Sequence, residues 1–163
     1  MLVDRRGHGR SEITPTGYDL NKSADDPHAV VRALSLENIV LVGHSAGAQQ
    51  LLRYVTRHSA GNIVAVVLSA PVSPCLAVLP DNPRGIPEAM FEAQRTQWLT
   101  DFGGWVDSAA SGYFGTATVS ASLINHTRRT LVDTPLPVVL DTQRAFSSAD
   151  LRADLASLSF RRL

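Results

Sequence analysis

The stretch Asn38-Ile39-Val40-Leu41-Val42-Gly43-His44-Ser45-Ala46-Gly47-Ala48 decides how this chain folds. Residues 38–42 read as an apolar, β-branched run, the pattern of a strand buried in a parallel sheet. A helical spacing then starts at once, with Ala46, Ala48, Leu51, Leu52, Tyr54 and Val55. A bare G-x-S-x-G occurs in ordinary β-turn-α connections. Placed between such a strand and an amphipathic helix, it reads as a nucleophile elbow. The turn is expected to be so tight that strand and helix nearly touch at Gly43 and Gly47, where a Cβ on either would clash. Ser45 is expected at the tip, in a strained backbone conformation with Oγ exposed. In that position Ser45 is the candidate nucleophile and the Ala46 backbone N–H the candidate oxyanion donor. The helix N-terminus beneath adds a positive field where negative charge would develop.

A second motif lies upstream. Asp4-Arg5-Arg6-Gly7-His8-Gly9-Arg10-Ser11 fits D-x-R-G-x-G-x-S and is followed by Gly17-Tyr18-Asp19. Two further stretches stand out: residues 79–90, with Asn82-Pro83-Arg84-Gly85-Ile86-Pro87, and residues 145–155, with Phe146-Ser147-Ser148-Ala149-Asp150-Leu151. On these motifs the chain resembles the α/β-hydrolase superfamily. More narrowly, it resembles the cofactor-free haloperoxidase, or perhydrolase/esterase, branch. The first motif is superfamily-wide, the other two are more specific, and the match covers nearly the whole chain.

Composition bounds the answer. The chain has 163 residues, 44% hydrophobic and 18% charged, with zero formal net charge, which suits one globular unit. Neutrality gives no reason to expect nucleic acid or an anionic membrane as partner. No apolar run is long enough to span a bilayer, and Met1-Leu2-Val3-Asp4-Arg5 does not read as a signal peptide. The single cysteine, Cys75, cannot form an intramolecular disulfide, so a cytoplasmic setting is the expectation. Cys75 reads as a small buried residue and not a nucleophile. No metal-ligand spacing and no dinucleotide fingerprint are present, so no cofactor is expected.

Along the chain, Met1 to Asp4 reads as the tail of a strand. Residues 5–16 read as a brace loop, with Gly7 and Gly9 at tight or positive-φ turns and His8 as a loop residue, not a base. Residues 23–34 read as a helix with Asp25 as N-cap and Pro27 in its first turn. His28 is expected to face solvent. The helix after the elbow should run to about His58, which suits the helix dipole, and end at Ser59-Ala60-Gly61. Residues 63–68 form the next parallel strand. Beyond Pro71 the period turns helical: 87–100, 104–113, 119–132, 137–144 and 147–158 read as short helices. Trp98, Phe102, Trp105, Tyr113 and Phe114 cluster there as core, with one or two able to line an acyl pocket.

The expected fold class is therefore α/β: a partial α/β-hydrolase fold of parallel strands with flanking helices, plus a helical cap. The expected divisions are a core at 1–72, a cap at 73–158, and a return to the core at 159–163. The resemblance implies a triad in the order Ser, Asp or Glu, His. It places the acid and the histidine after the cap and one oxyanion donor before residue 1, so the chain reads as a fragment lacking the first strands and the C-terminal Asp/His part. His126 with Asp101, Asp107, Asp133 or Asp141 would satisfy the chain order, but His126 falls in a cap helix beside two arginines. His44 is the variable residue of the elbow and should point away from its tip. The family often has Met at position 46 and Gly at 48. Ala46 keeps the N–H, and Ala48 adds a methyl at the helix–strand contact. The resemblance implies a serine hydrolase acting on small ester or acyl substrates through an acyl-enzyme, with perhydrolysis in the haloperoxidase branch. The alternatives are an inactive fragment and a non-enzymatic binding domain of the same fold.

Overall fold

Eight elements order the chain: α1 Leu20–Ala33, β1 Ile39–His44, α2 Ala46–Arg57, β2 Ile63–Ser69, α3 Glu88–Tyr113, α4 Ala121–Val132, α5 Leu136–Ser147 and α6 Arg152–Ala156. They come from a computed structural model that describes residues 1–58, 61–72, 74–115 and 118–158, without the side chain of Ser111. The expected return to the core at 159–163 lies outside the described residues, as do Ser59 and Ala60 of the expected helix stop.

β1 and β2 pair in parallel, with Leu41 opposite Val66 and Val42 opposite Val67, as the two β-branched runs predict. α2 packs on this sheet and α1 packs on α2. The helices cover one face only. Val40, Val42 and Val67 on the other face, and Val64 beside the register shift, are 46–68% exposed. The expectation of a fully buried strand is thus corrected: among the described residues nothing covers the second face. Residues 1–4 join no ladder, which corrects their reading as a strand tail. A cleft of about 830 Å³ separates them from the free edge of β1.

α1 begins earlier than the sequence suggests. Its N-cap is Asp19, whose carboxylate accepts from Lys22 N–H at 3.0 Å, and not Asp25. Pro27 is therefore inside the helix and cannot donate to the Ser23 carbonyl four residues back. The side-chain amide of Gln50 on α2 donates to that carbonyl instead, at 2.5 Å. His28 is half-buried and not simply turned to solvent; its ring stacks on His58, the C-cap of α2.

The brace loop forms as expected. Gly7 and Gly9 have φ of +70° and +54°. Arg6 clamps Asp26 of α1 with two bonds, 2.9 and 2.7 Å, and donates to Thr14 at 3.2 Å. His8 is tied to the Arg6 carbonyl at 2.8 Å, a loop role.

The cap is helical. α3 breaks at Asp101 (φ −159°, ψ 87°), where the pair Gly103-Gly104 suggests a break; Asp101 Oδ1 accepts from Gly104 N–H at 2.8 Å and caps the second half. Trp98, Phe102 and Trp105 pack edge-on and stacked across this kink. Arg95, only 2% exposed, ties α3 to α5 through Gln143 at 2.6 Å and pairs with Glu88 and Glu92. The predicted helix over 147–158 shrinks to α6. Residues 148–151 turn back instead: Leu151 N–H donates to the Pro74 carbonyl, and Asp150 bridges to Cys75. Arg152 fixes the turn through Asp150 and Asp81, holding the Asp150 carboxyl down at about 2. Cys75 is buried, with Asn82 Nδ2 3.4 Å from Sγ. Among the described residues no helix is long and apolar enough to cross a membrane.

Candidate active site

Ser45 sits between the end of β1 and the first residue of α2, with φ +53° and ψ −119°. No helix or strand uses that combination, and a non-glycine residue held there stores on the order of 1–3 kcal/mol. Two features enforce it. Ser45 N–H donates to the Ser69 carbonyl at the end of β2, 3.0 Å away, and its own carbonyl accepts from Ala48 N–H at 3.0 Å. Gly43, buried, lies against the helix: a Cβ there would meet the Gly47 carbonyl oxygen at 2.5 Å and the Leu51 side chain at 2.9 Å.

The two glycines are not equivalent. A Cβ at Gly47 would meet nothing within 4 Å. The expectation that both are needed for packing is corrected: the close approach is made by the backbone of Gly47 and constrains only Gly43.

The Ser45 side chain does not cap α2, and Oγ has no hydrogen-bond partner among the described residues. Its own N–H is committed to Ser69. The N–H of Ala46, first residue of α2, has no intrahelical acceptor. The turn therefore presents a hydroxyl beside one uncommitted donor at the positive end of a 12-residue helix. Ala46 also packs on the buried cluster of Leu20, Leu52, Phe146 and Leu151, so the C-terminal end of α5 and the turn after it brace the strand-to-helix turn. Ala48 is fully buried, and its extra methyl is accommodated.

The remaining candidates go elsewhere. His44 is exposed on the strand end. His126 is exposed on α4. Asp107 pairs with Arg128, Asp141 with Arg144, Asp101 caps its helix, and Asp133 is the C-cap of α4. None of these carboxylates bonds to His126. Among the described residues no group of three or more His, Cys, Asp or Glu could hold a metal ion. Sequence reasoning missed the Ser69 carbonyl as the anchor of the elbow. It is a backbone contact between strands, and no side-chain pattern signals it.

A family model described as "Alpha/beta hydrolase family" matches residues 1–160. The non-heme haloperoxidase of Rhodococcus erythropolis is 34% identical over 160 residues, covering 95% of this chain and 58% of that protein. The crystal structure of a bromoperoxidase from Bacillus anthracis superposes with a TM-score of 0.88 at 29% identity, over 96% of this chain and 58% of the other. An esterase from Exiguobacterium antarcticum has the same TM-score at 24% identity, again over 58% of its length, a likeness of fold. The chain thus spans 58% of the length of each of these three proteins.

Proposed function

The chain belongs to the alpha/beta hydrolase family, and from that membership we propose that it carries the nucleophile half of an acyl-transferring serine hydrolase. The observation that carries this reading is the strained Ser45 at the strand-to-helix turn, with its hydroxyl uncommitted beside the Ala46 N–H. Ser45 Oγ attacks the carbonyl carbon of a small ester or related acyl substrate, and the Ala46 N–H donates one hydrogen bond to the developing oxyanion. The hydroxyl proton passes to an imidazole outside residues 1–163, oriented by a carboxylate also outside them. Collapse of the tetrahedral intermediate breaks the acyl–oxygen bond and expels the alcohol, which takes the proton from that imidazole; the acyl-enzyme then reacts with water to give the acid, or with hydrogen peroxide to give the peracid, and Ser45 is released. The haloperoxidase relative supports the second branch. Neither step calls for a metal or an organic cofactor.

A specific observation also favours an inactive state for these 163 residues alone: Oγ has no histidine partner among the described residues. Both readings meet in one experiment. In a polypeptide that supplies the base, a fluorophosphonate probe should label Ser45, and Ser45→Ala should abolish labelling. The 163-residue chain should turn over p-nitrophenyl acetate far more slowly than a complete esterase. Labelling that survives Ser45→Ala would remove the assignment. Full turnover by the short chain, lost on changing His126, would show an internal triad.

A further inference from the structure

We infer that the stacked imidazoles of His28 and His58 form an acid-released latch between α1 and α2. The rings lie parallel, 3° apart in plane, with centroids 3.9 Å apart. Tyr54, 1% exposed, packs tilted against both, 5.9 Å from His28 and 5.4 Å from His58. Neutral rings stack well in this arrangement, whereas two imidazolium rings at that spacing repel.

The surrounding charges make the junction hostile to another proton. From α1 come Asp25 and Arg32, and from α2 come Tyr54, Arg57 and His58. Among the described residues Asp25 is the one carboxylate here, and it is already taken: it accepts from Arg57 at 2.6 and 3.2 Å and contacts His58 Nε2 at 2.9 Å. His28 Nδ1 is buried without a partner among the described residues, so a proton placed there would have no acceptor. Burial pushes the His28 imidazole below its ordinary range, the charges of His58 and Arg32 push it further, and Asp25 opposes them only in part.

The sign follows. When the latch opens, His28 regains an ordinary affinity for protons, so the open form binds more protons than the closed form. The closed latch is fully favoured above about pH 6.5. It loses ground as pH falls from there towards the lowered value of the closed state. Each unit of difference changes the opening equilibrium tenfold. The latch holds the far end of the helix whose N-terminus carries Ser45, about 18 Å away at 1.5 Å per residue over its 12 residues.

The test reads His28 directly. Histidine-selective NMR should find His28 titrating below 6.5. Hydrogen-exchange protection factors for α1 and the last turn of α2 should fall at least severalfold between pH 7.5 and 5.0, relative to those of α5. His28→Phe keeps an aromatic face and cannot be protonated, so its protection factors should stay level over the same range. His28 titrating at or above 6.5, or α1 protection unchanged by acid in the wild type, would overturn the latch; both readouts stand even if His28→Phe fails to fold. An equal acid loss in wild type and His28→Phe would also overturn it.

Discussion

At position 43 a β-carbon would point into the carbonyl of residue 47 and the side chain of Leu51. Alanine there forces β1 and α2 apart, and Ser45, two residues on, moves with the turn. Gly43→Ala is expected to destabilise the fold by about 1–3 kcal/mol, the range for overpacking a tight contact. A displacement of about 1 Å at a reacting group can cost on the order of 10²-fold in rate, so probe labelling of the remaining folded protein should drop on that scale. Gly47 is helical and open on its β side. Gly47→Ala should therefore be neutral or stabilise by about 0.5–1 kcal/mol, as expected for alanine in a helix. Paired thermal melts and labelling of the two variants check this, and equal losses would contradict the geometry. The G-x-S-x-G pattern was enough to locate the strand-to-helix turn and the strained backbone of Ser45. It was not enough to tell the glycines apart, because a sequence spacing carries no information on where each Cβ points.

The seam between α1 and α2 shows why helix boundaries were less legible than the elbow. Asp25 two residues before Pro27 looks like a helix start, since proline is well tolerated in a first turn. The helix instead starts at Leu20, and Pro27 survives inside it because Gln50 takes the carbonyl that proline leaves free. No local pattern contains that contact; it exists only once α2 is docked. Gln50→Leu should leave the Ser23 carbonyl unpaired and cost about 1–3 kcal/mol. Pro27→Ala in that background restores the backbone donor and should recover most of the loss. A double-mutant cycle by chemical denaturation measures the coupling, and strictly additive effects would rule out the compensation. The kink in α3, by contrast, was legible from Gly103-Gly104, and the structure adds its cap. Asp101→Ala removes the carboxylate that accepts from Gly104 N–H and should cost about 0.5–2 kcal/mol, the range for losing an N-cap. Asp101→Asn should cost less, because the amide oxygen still accepts; melting curves of the two variants separate cap from charge.

Over the whole molecule, the unbroken apolar runs of β1 and β2 describe strands meant for cover on both faces, while α1 and α2 supply one layer. Sequence reasoning recognised the family from motifs and could place the strand-to-helix turn at Ser45, since both depend on short contiguous patterns. The base and acid of the proposed reaction were not legible because no side chain among the described residues stands in either role beside Ser45. The bare face follows from the same arrangement: Val40, Val42 and Val67 are exposed together, and Leu2 and Val3 are exposed across the cleft from β1. Contiguous apolar surface of this kind is unusual on a protein with all its layers in place. The 163-residue chain is accordingly expected to bind an environment-sensitive apolar dye such as ANS in its native state. Val42→Thr with Val67→Thr should reduce that fluorescence several-fold. The pair is exposed, so stability should change by no more than about 0.5 kcal/mol for each substitution. In a longer chain that covers this face, dye binding should be low and the same two substitutions should be costly, on the order of 1 kcal/mol each or more, because each then buries a hydroxyl. Dye binding by the short chain that ignores both substitutions would place its apolar surface elsewhere and show that the second face of the sheet is not bare.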